Sequence, residues 1–397
     1  MNDYSGMLAY IAWRGDLSLE QSPFSPVDGL ILSTLAYVRF QGCIPADAAA
    51  QVSLAEAVSA FLSRPAAEQG RVRSPSDAGL MRRLAASRRF AHMRLTAYQD
   101  VFLPEKEMQF AAYTALLEDG TAFLAFRGTD STLVGWKEDF NMSFRDTVPA
   151  QSAALEYAER IAAAFGGALR LGGHSKGGNL AIYAATQCPP QVRGRILAVY
   201  NNDGPGFTDS VLSSPGYAEL LERIHSFVPQ SSIIGMLLQH EDDYTVVHSR
   251  QRGILQHDPY SWSVLGNDFI RLRRVTEGSR ITDKVVKDWL CALTPEERGK
   301  FVDVLYELLS AGGASLTSDL VQPRSLYATL KAYKAVDEDT RRLLSSALKH
   351  LLDSAVGNIA AADDLPIHPG RQRISARQRG ILPKKEDAVC TDNTESE

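Results

Sequence analysis

Apolar residues recur along this chain with two different periods, and the changes between them divide it. Up to about residue 63 the spacing is helical. Ser25-Pro26-Val27-Asp28 has the features of a helix start: Ser as N-cap, Pro in the first turn, an acid three residues on. The apolar run GLILSTLAYVRF continues that helix. Residues 64–90 are polar and basic, a loop with a short helix. From about 91 the apolar runs shorten to strand length. MRLTAYQDVF, MQFAAYTALLE and TAFLAFRGT read as three strands, with a hairpin at Asp119-Gly120. PAQSAALEYAERIAAAFGG (149–167) returns to helical spacing and ends in Gly-Gly. Leu169-Arg170-Leu171 closes a short strand. Asn179–Gln187 is helical and stops at Pro189-Pro190. RILAVYNNDGPG and RIHSFVP (223–229) add two strands. Residues 281–357 are helical again. Thr294-Pro295-Glu296-Glu297 forms a capping box for a helix through Leu309, and KAYKAVDEDTRRLLSSALKHLLDSA gives one or two more.

This alternation predicts an α/β protein with a mostly parallel sheet covered on both faces. The division expected is a helical N-terminal cap over 1–90, an α/β core over 91–275, a helical region over 276–362 and a disordered tail over 363–397. The tail is rich in Pro, Gly and charge.

One stretch carries the chemistry. In LRLGGHSKGGNLAIYAA (169–185), Gly173-His174-Ser175-Lys176-Gly177 is G-x-S-x-G set between a strand and a helix. A serine at such a turn takes a strained backbone angle, and glycines two before and two after remove the collisions that Cβ atoms would make. The backbone N–H of Lys176, at the helix N-terminus, faces a developing oxyanion. The competing interpretation is a phosphate-binding turn of a doubly wound fold. It finds neither G-x-G-x-x-G nor G-x-x-x-x-G-K-[ST] in the sequence.

Composition narrows the options modestly. A net charge of −5 argues against general nucleic-acid binding, although 371–385 holds six basic residues and no acid, a pattern that suits a solvated tail first, and otherwise contact with an anionic membrane or nucleic acid. Cys43, Cys188, Cys291 and Cys390 are too scattered for a disulfide framework or a zinc site, which suits the cytoplasm. There is no signal peptide pattern and no run long enough to span a membrane.

FRGT at 126–129, followed by Trp136, Asp139 and Phe140, and the later G-H-S-x-G-G together resemble the class 3, fungal-type lipases. The spacing of the two motifs is also similar. The resemblance covers roughly residues 110–265; the flanks do not match, and the whole chain looks like a little-characterised bacterial branch of lipase-like α/β-hydrolases. It implies an α/β-hydrolase fold with helical additions and a serine hydrolase of carboxylic esters that needs no metal or organic cofactor. It also implies an oxyanion hole at Thr129, through backbone N–H and hydroxyl, partnered by the N–H of Lys176. The segment holding Trp136 resembles a mobile lid.

The base must follow Ser175 in the chain. His257, in GILQHDPYSW, sits in a loop after the last core strand, as in the lipases; His248 is the alternative, and a chain with no catalytic histidine is the third. His174 is expected to pack under the turn. The acid departs from the family, because Val228-Pro229-Gln230-Ser231-Ser232 has no carboxylate where those lipases carry an Asp. Asp203, at the end of the strand after the elbow helix, is the leading candidate, ahead of Asp242, Asp243, Asp258 or none. The substrate is expected to be a small ester or a lipid. A silent binding module, a phospholipase and a thioesterase are the rivals.

Overall fold

The computed structural model describes residues 6–349 apart from short internal stretches, of which 66–73 and 237–243 are the longest. The expected tail over 363–397 lies outside the described residues. Among the described residues there are eleven strands: β1 (Val52–Ser53), β2 (Arg94–Leu103), β3 (Met108–Leu116), β4 (Ala122–Phe126), β5 (Leu169–His174), β6 (Ile196–Asn202), β7 (Ile224–Pro229), β8 (Tyr244–Val247), β9 (Val264–Leu265), β10 (Asp268–Phe269) and β11 (Arg271–Leu272). Nine form one sheet in the order β1-β2-β3-β4-β5-β6-β7-β8-β11, and β9 pairs with β10.

The sheet is mixed, with the expected parallel strands at its centre and antiparallel pairs at its edges. The four pairs from β4 to β8 are parallel, and the four outside them are antiparallel. The reason is connection length. β2, β3 and β4 are joined by turns at Pro104–Lys106 and at Asp119-Gly120, far too short for the crossover a parallel pair needs.

The first described helices are α1 (Met7–Arg14), α2 (Pro26–Leu35), α3 (Leu54–Leu62), α4 (Asp77–Ala86), α5 (Arg88–Ala91), α6 (Leu133–Asn141), α7 (Pro149–Ala164) and α8 (Lys176–Gln187). The capping box at Ser25 and Asp28 opens α2 as the sequence predicts. Side-chain alternation in β4 divides the core into two. Phe123 and Ala125 join a cluster with α1–α4, Tyr200 and Trp262, whereas Leu124 and Phe126 join α7 and α8 on the other face. Each face of the strand is covered, which is why β4 reads as one unbroken apolar run.

In the C-terminal region the Thr294 capping box opens the Pro295–Ser310 helix. The next helix begins earlier than its apolar pattern suggests, at Pro323, which occupies the first turn, and ends at Ala335. A further helical run spans 338–347, where Asp337 accepts a bond from Thr340 N (2.8 Å).

Register aligns the working ends of the parallel strands. Phe126 lies opposite Gly173, His174 opposite Asn202, and Asn202 opposite Phe227. The residues that follow, Arg127, Ser175, Asp203 and Val228, therefore emerge along one edge.

Candidate active site

Ser175 ends β5 and precedes α8 with φ 58° and ψ −134°, a strained conformation for a residue with a side chain. Its N–H donates to Asn202 O at 2.9 Å, fixing the turn to β6. Close approach explains the surrounding glycines. A Cβ on Gly173 would stand 2.1 Å from the Gly177 carbonyl carbon. One on Gly128, in FRGT, would stand 2.4 Å from His174 O and 3.1 Å from Ser175 Cβ. The Gly128-Thr129 loop thus lies directly against the serine turn.

Asp203 leaves β6 with φ 57°, also strained, and is 1% exposed. Its Oδ2 is 2.7 Å from His257 Nδ1. Its Oδ1 accepts from the Ser232 hydroxyl and from Gly235 N at 3.2 Å. The loop after β7, which lacks the lipase carboxylate, instead supplies a hydroxyl that holds the carboxylate from β6. With its Nδ1–H directed to Asp203, a neutral His257 keeps the lone pair of Nε2.

His257 ends the Gly253–His257 3-10 helix, and its carbonyl is 2.7 Å from His174 Nε2. A carbonyl only accepts, so His174 Nε2 carries a proton. In the neutral ring Nδ1 then accepts from Tyr37 Oη at 2.9 Å. The buried imidazole next to Ser175 therefore couples the His257 loop to the N-terminal helices. The two histidine rings are 4.5 Å apart. Among the described residues no hydrogen bond joins Ser175 Oγ to His257; such bonds are commonly long before substrate arrives.

Thr129 and Lys176 flank the serine from the β4 loop and the start of α8. Among the described residues the backbone N–H of neither has an acceptor. The Thr129 hydroxyl donates to Asp139, 2.6 Å and 2.5 Å from its two oxygens. Desolvation pushes the Asp139 carboxyl up to about 6, against the pull of the Lys176 ammonium, the Thr129 hydrogen bond and His257, while Glu138 beside it pushes it further up. The carboxylate remains 32% exposed, so water still reaches it.

The Lys176 side chain has a separate job. Its ammonium and the Glu138 carboxylate are both fully buried and 2.7 Å apart. The ammonium also donates to Gln109 O (3.0 Å), and Glu138 accepts from Gln109 N (3.1 Å) and Ala150 N (2.9 Å). This joins α6, α7, α8 and β3 beneath the serine. The segment that resembles a lid is α6, clamped from both sides. Glu138 holds it to the core; Lys137 binds Glu107 (2.6 Å) and Asp303 (2.7 Å), and Phe140 packs with Trp289 and Phe301.

The other candidates lie elsewhere. Asp242 and Asp243 fall outside the described residues. Asp258 accepts from Tyr260 N, and His248 Nδ1 is 2.9 Å from Ser263 Oγ. Arg127 makes two bonds to Asp100, a structural pair at the strand end. Sequence reasoning missed Tyr37, Glu138 and Ser232. For Glu138 a signal existed: Lys176 stands among glycines at the start of a core helix, and a lysine buried there requires a carboxylate.

A strained serine between strand and helix, with a histidine–aspartate pair beside it at the ends of parallel strands, defines an α/β protein with a hydrolase-like site. A family model described as Mbeg1-like matches residues 84–307, more than half of the chain. The chain belongs to that family, a lipase-like family within the class 3 lipase and α/β-hydrolase superfamily. No curated protein and no solved structure matches it.

Proposed function

We propose that the protein is a serine hydrolase of α/β-hydrolase fold that cleaves carboxylic esters through an acyl-enzyme on Ser175. The observation that carries this reading is the 2.7 Å pairing of His257 Nδ1 with Asp203, on a loop bonded to the residue that precedes the strained serine. His257 Nε2 takes the Ser175 proton as Oγ attacks the acyl carbon. The N–H groups of Thr129 and Lys176 hold the oxyanion. His257 returns the proton to the leaving alcohol, and water, deprotonated by the same imidazole, releases the acid. Asp203 keeps the imidazole in the required tautomer and stabilises its charged form. The Thr129 hydroxyl has one proton and gives it to Asp139, so the oxyanion relies on backbone donors. The half-buried Ile234 beside Gly235 and the exposed Leu255 ahead of His257 favour an acyl chain at the mouth of the site.

Covalent labelling with a fluorophosphonate probe tests this. One adduct is expected, on Ser175, absent in Ser175→Ala and slowed on the order of 10³- to 10⁴-fold in Asp203→Asn. A folded wild-type protein that takes no adduct, with or without detergent, would sink the reading and leave a silent module.

A further inference from the structure

The Pro323–Ala335 helix is amphipathic in the wrong sense for a core. Its small residues face inward: Ser325 is buried, and Ser325 and Ala328 sit against the turn at Gly312, where an added Cβ would be 3.0 Å from each. Tyr327 and Leu330 face out. Tyr327 is 72% exposed and Leu330 62%. Helical spacing puts residues 327, 330 and 334 in one row, with residue 331 beside it. Lys331 and Lys334 are exposed, as is Arg324 one turn earlier, and the helix has no acid along its 13 residues.

We propose that this face docks on an anionic membrane surface, with Tyr327 and Leu330 entering the headgroup region and Arg324, Lys331 and Lys334 meeting lipid phosphates. A straight helix with one apolar stripe bordered by cations fits a planar, negatively charged interface. A second copy fits poorly, because two-fold pairing of the face would set its cations against their equivalents. The basic segment 371–385 adds charge of the same sign and favours the same surface. The helix packs on Pro295–Ser310, which in turn holds α6 through Asp303.

The test is co-sedimentation of the full chain with vesicles of phosphatidylcholine alone and of phosphatidylcholine with phosphatidylglycerol. Binding is expected to the mixed vesicles only, and equally for Ser175→Ala, since docking does not depend on turnover. Two paired variants, Tyr327→Ser with Leu330→Ser and Lys331→Glu with Lys334→Glu, should each weaken it by about tenfold or more. Both change exposed positions, and thermal melts check that they fold. A third variant, with the six basic residues of 371–385 changed to Gln, should retain most of the binding. The proposal is overturned by no binding to mixed vesicles, by binding indifferent to both helix variants, or by a loss confined to the third variant. Self-association in light scattering that the Tyr327/Leu330 variant abolishes would likewise overturn it, assigning the face to a second copy.

Discussion

The proton of the Thr129 hydroxyl has one recipient, the Asp139 carboxylate, and that carboxylate carries a consequence for stability. Its folded value, about 6, lies above the ordinary 3.8, so the folded chain binds a proton at Asp139 more tightly than the unfolded chain. The favourable contribution is complete below about pH 4 and disappears as pH rises through 6. Asp139→Asn keeps an oxygen for Thr129 and removes the charge. It should melt higher than wild type above pH 6, by on the order of 1 kcal/mol once partial solvation is allowed for, and the gap should close towards pH 4. Melting curves of both proteins across this range check it; a gap constant with pH would mean that Asp139 is ionised throughout.

Among the elements, α6 and α8 depend on the Lys176–Glu138 pair more than on any apolar contact between them. Both charges are fully buried, so removing one strands the other. Glu138→Gln should cost about 3–5 kcal/mol in urea unfolding. Lys176→Met combined with Glu138→Gln should recover most of that loss, because a buried pair replaced as a unit is close to neutral. A double variant no better than the single would place the cost in the hydrogen bonds of Glu138 to Gln109 N and Ala150 N. This pair also marks the limit of what the sequence discloses. Elements with local signals were legible: Ser25 with Asp28 and Thr294 with Glu297 announce their helices within four residues, and the glycines around Ser175 announce the turn. Partners far apart in the chain were not. Lys176 and Glu138 are 38 residues apart, and Ser232 reaches Asp203 across 29. Nor could β1 and β11 be read, since two residues carry no periodicity. Asp203, which pairs with His257, stands out in the sequence only because the expected family position holds no acid.

At the scale of the molecule, the site draws on both ends of the described chain. C-terminal Asp303 holds α6, and N-terminal Tyr37 bonds the imidazole beside the serine. Tyr37→Phe removes the donor to His174 Nδ1 and lets the ring adopt the other tautomer, which no longer donates to the His257 carbonyl. Probe labelling of Ser175 should slow by roughly fivefold, the equivalent of about one hydrogen bond, with only a small change in melting temperature. Unchanged labelling would mean that the base loop holds itself. The matched stretch, 84–307, contains the serine, the aspartate and the histidine, yet it excludes Tyr37 and α1–α3, which close one face of the sheet. A gene rearrangement cut at residue 84 would carry Ser175, Asp203 and His257 with it and leave behind Tyr37 and the helices that cover that face.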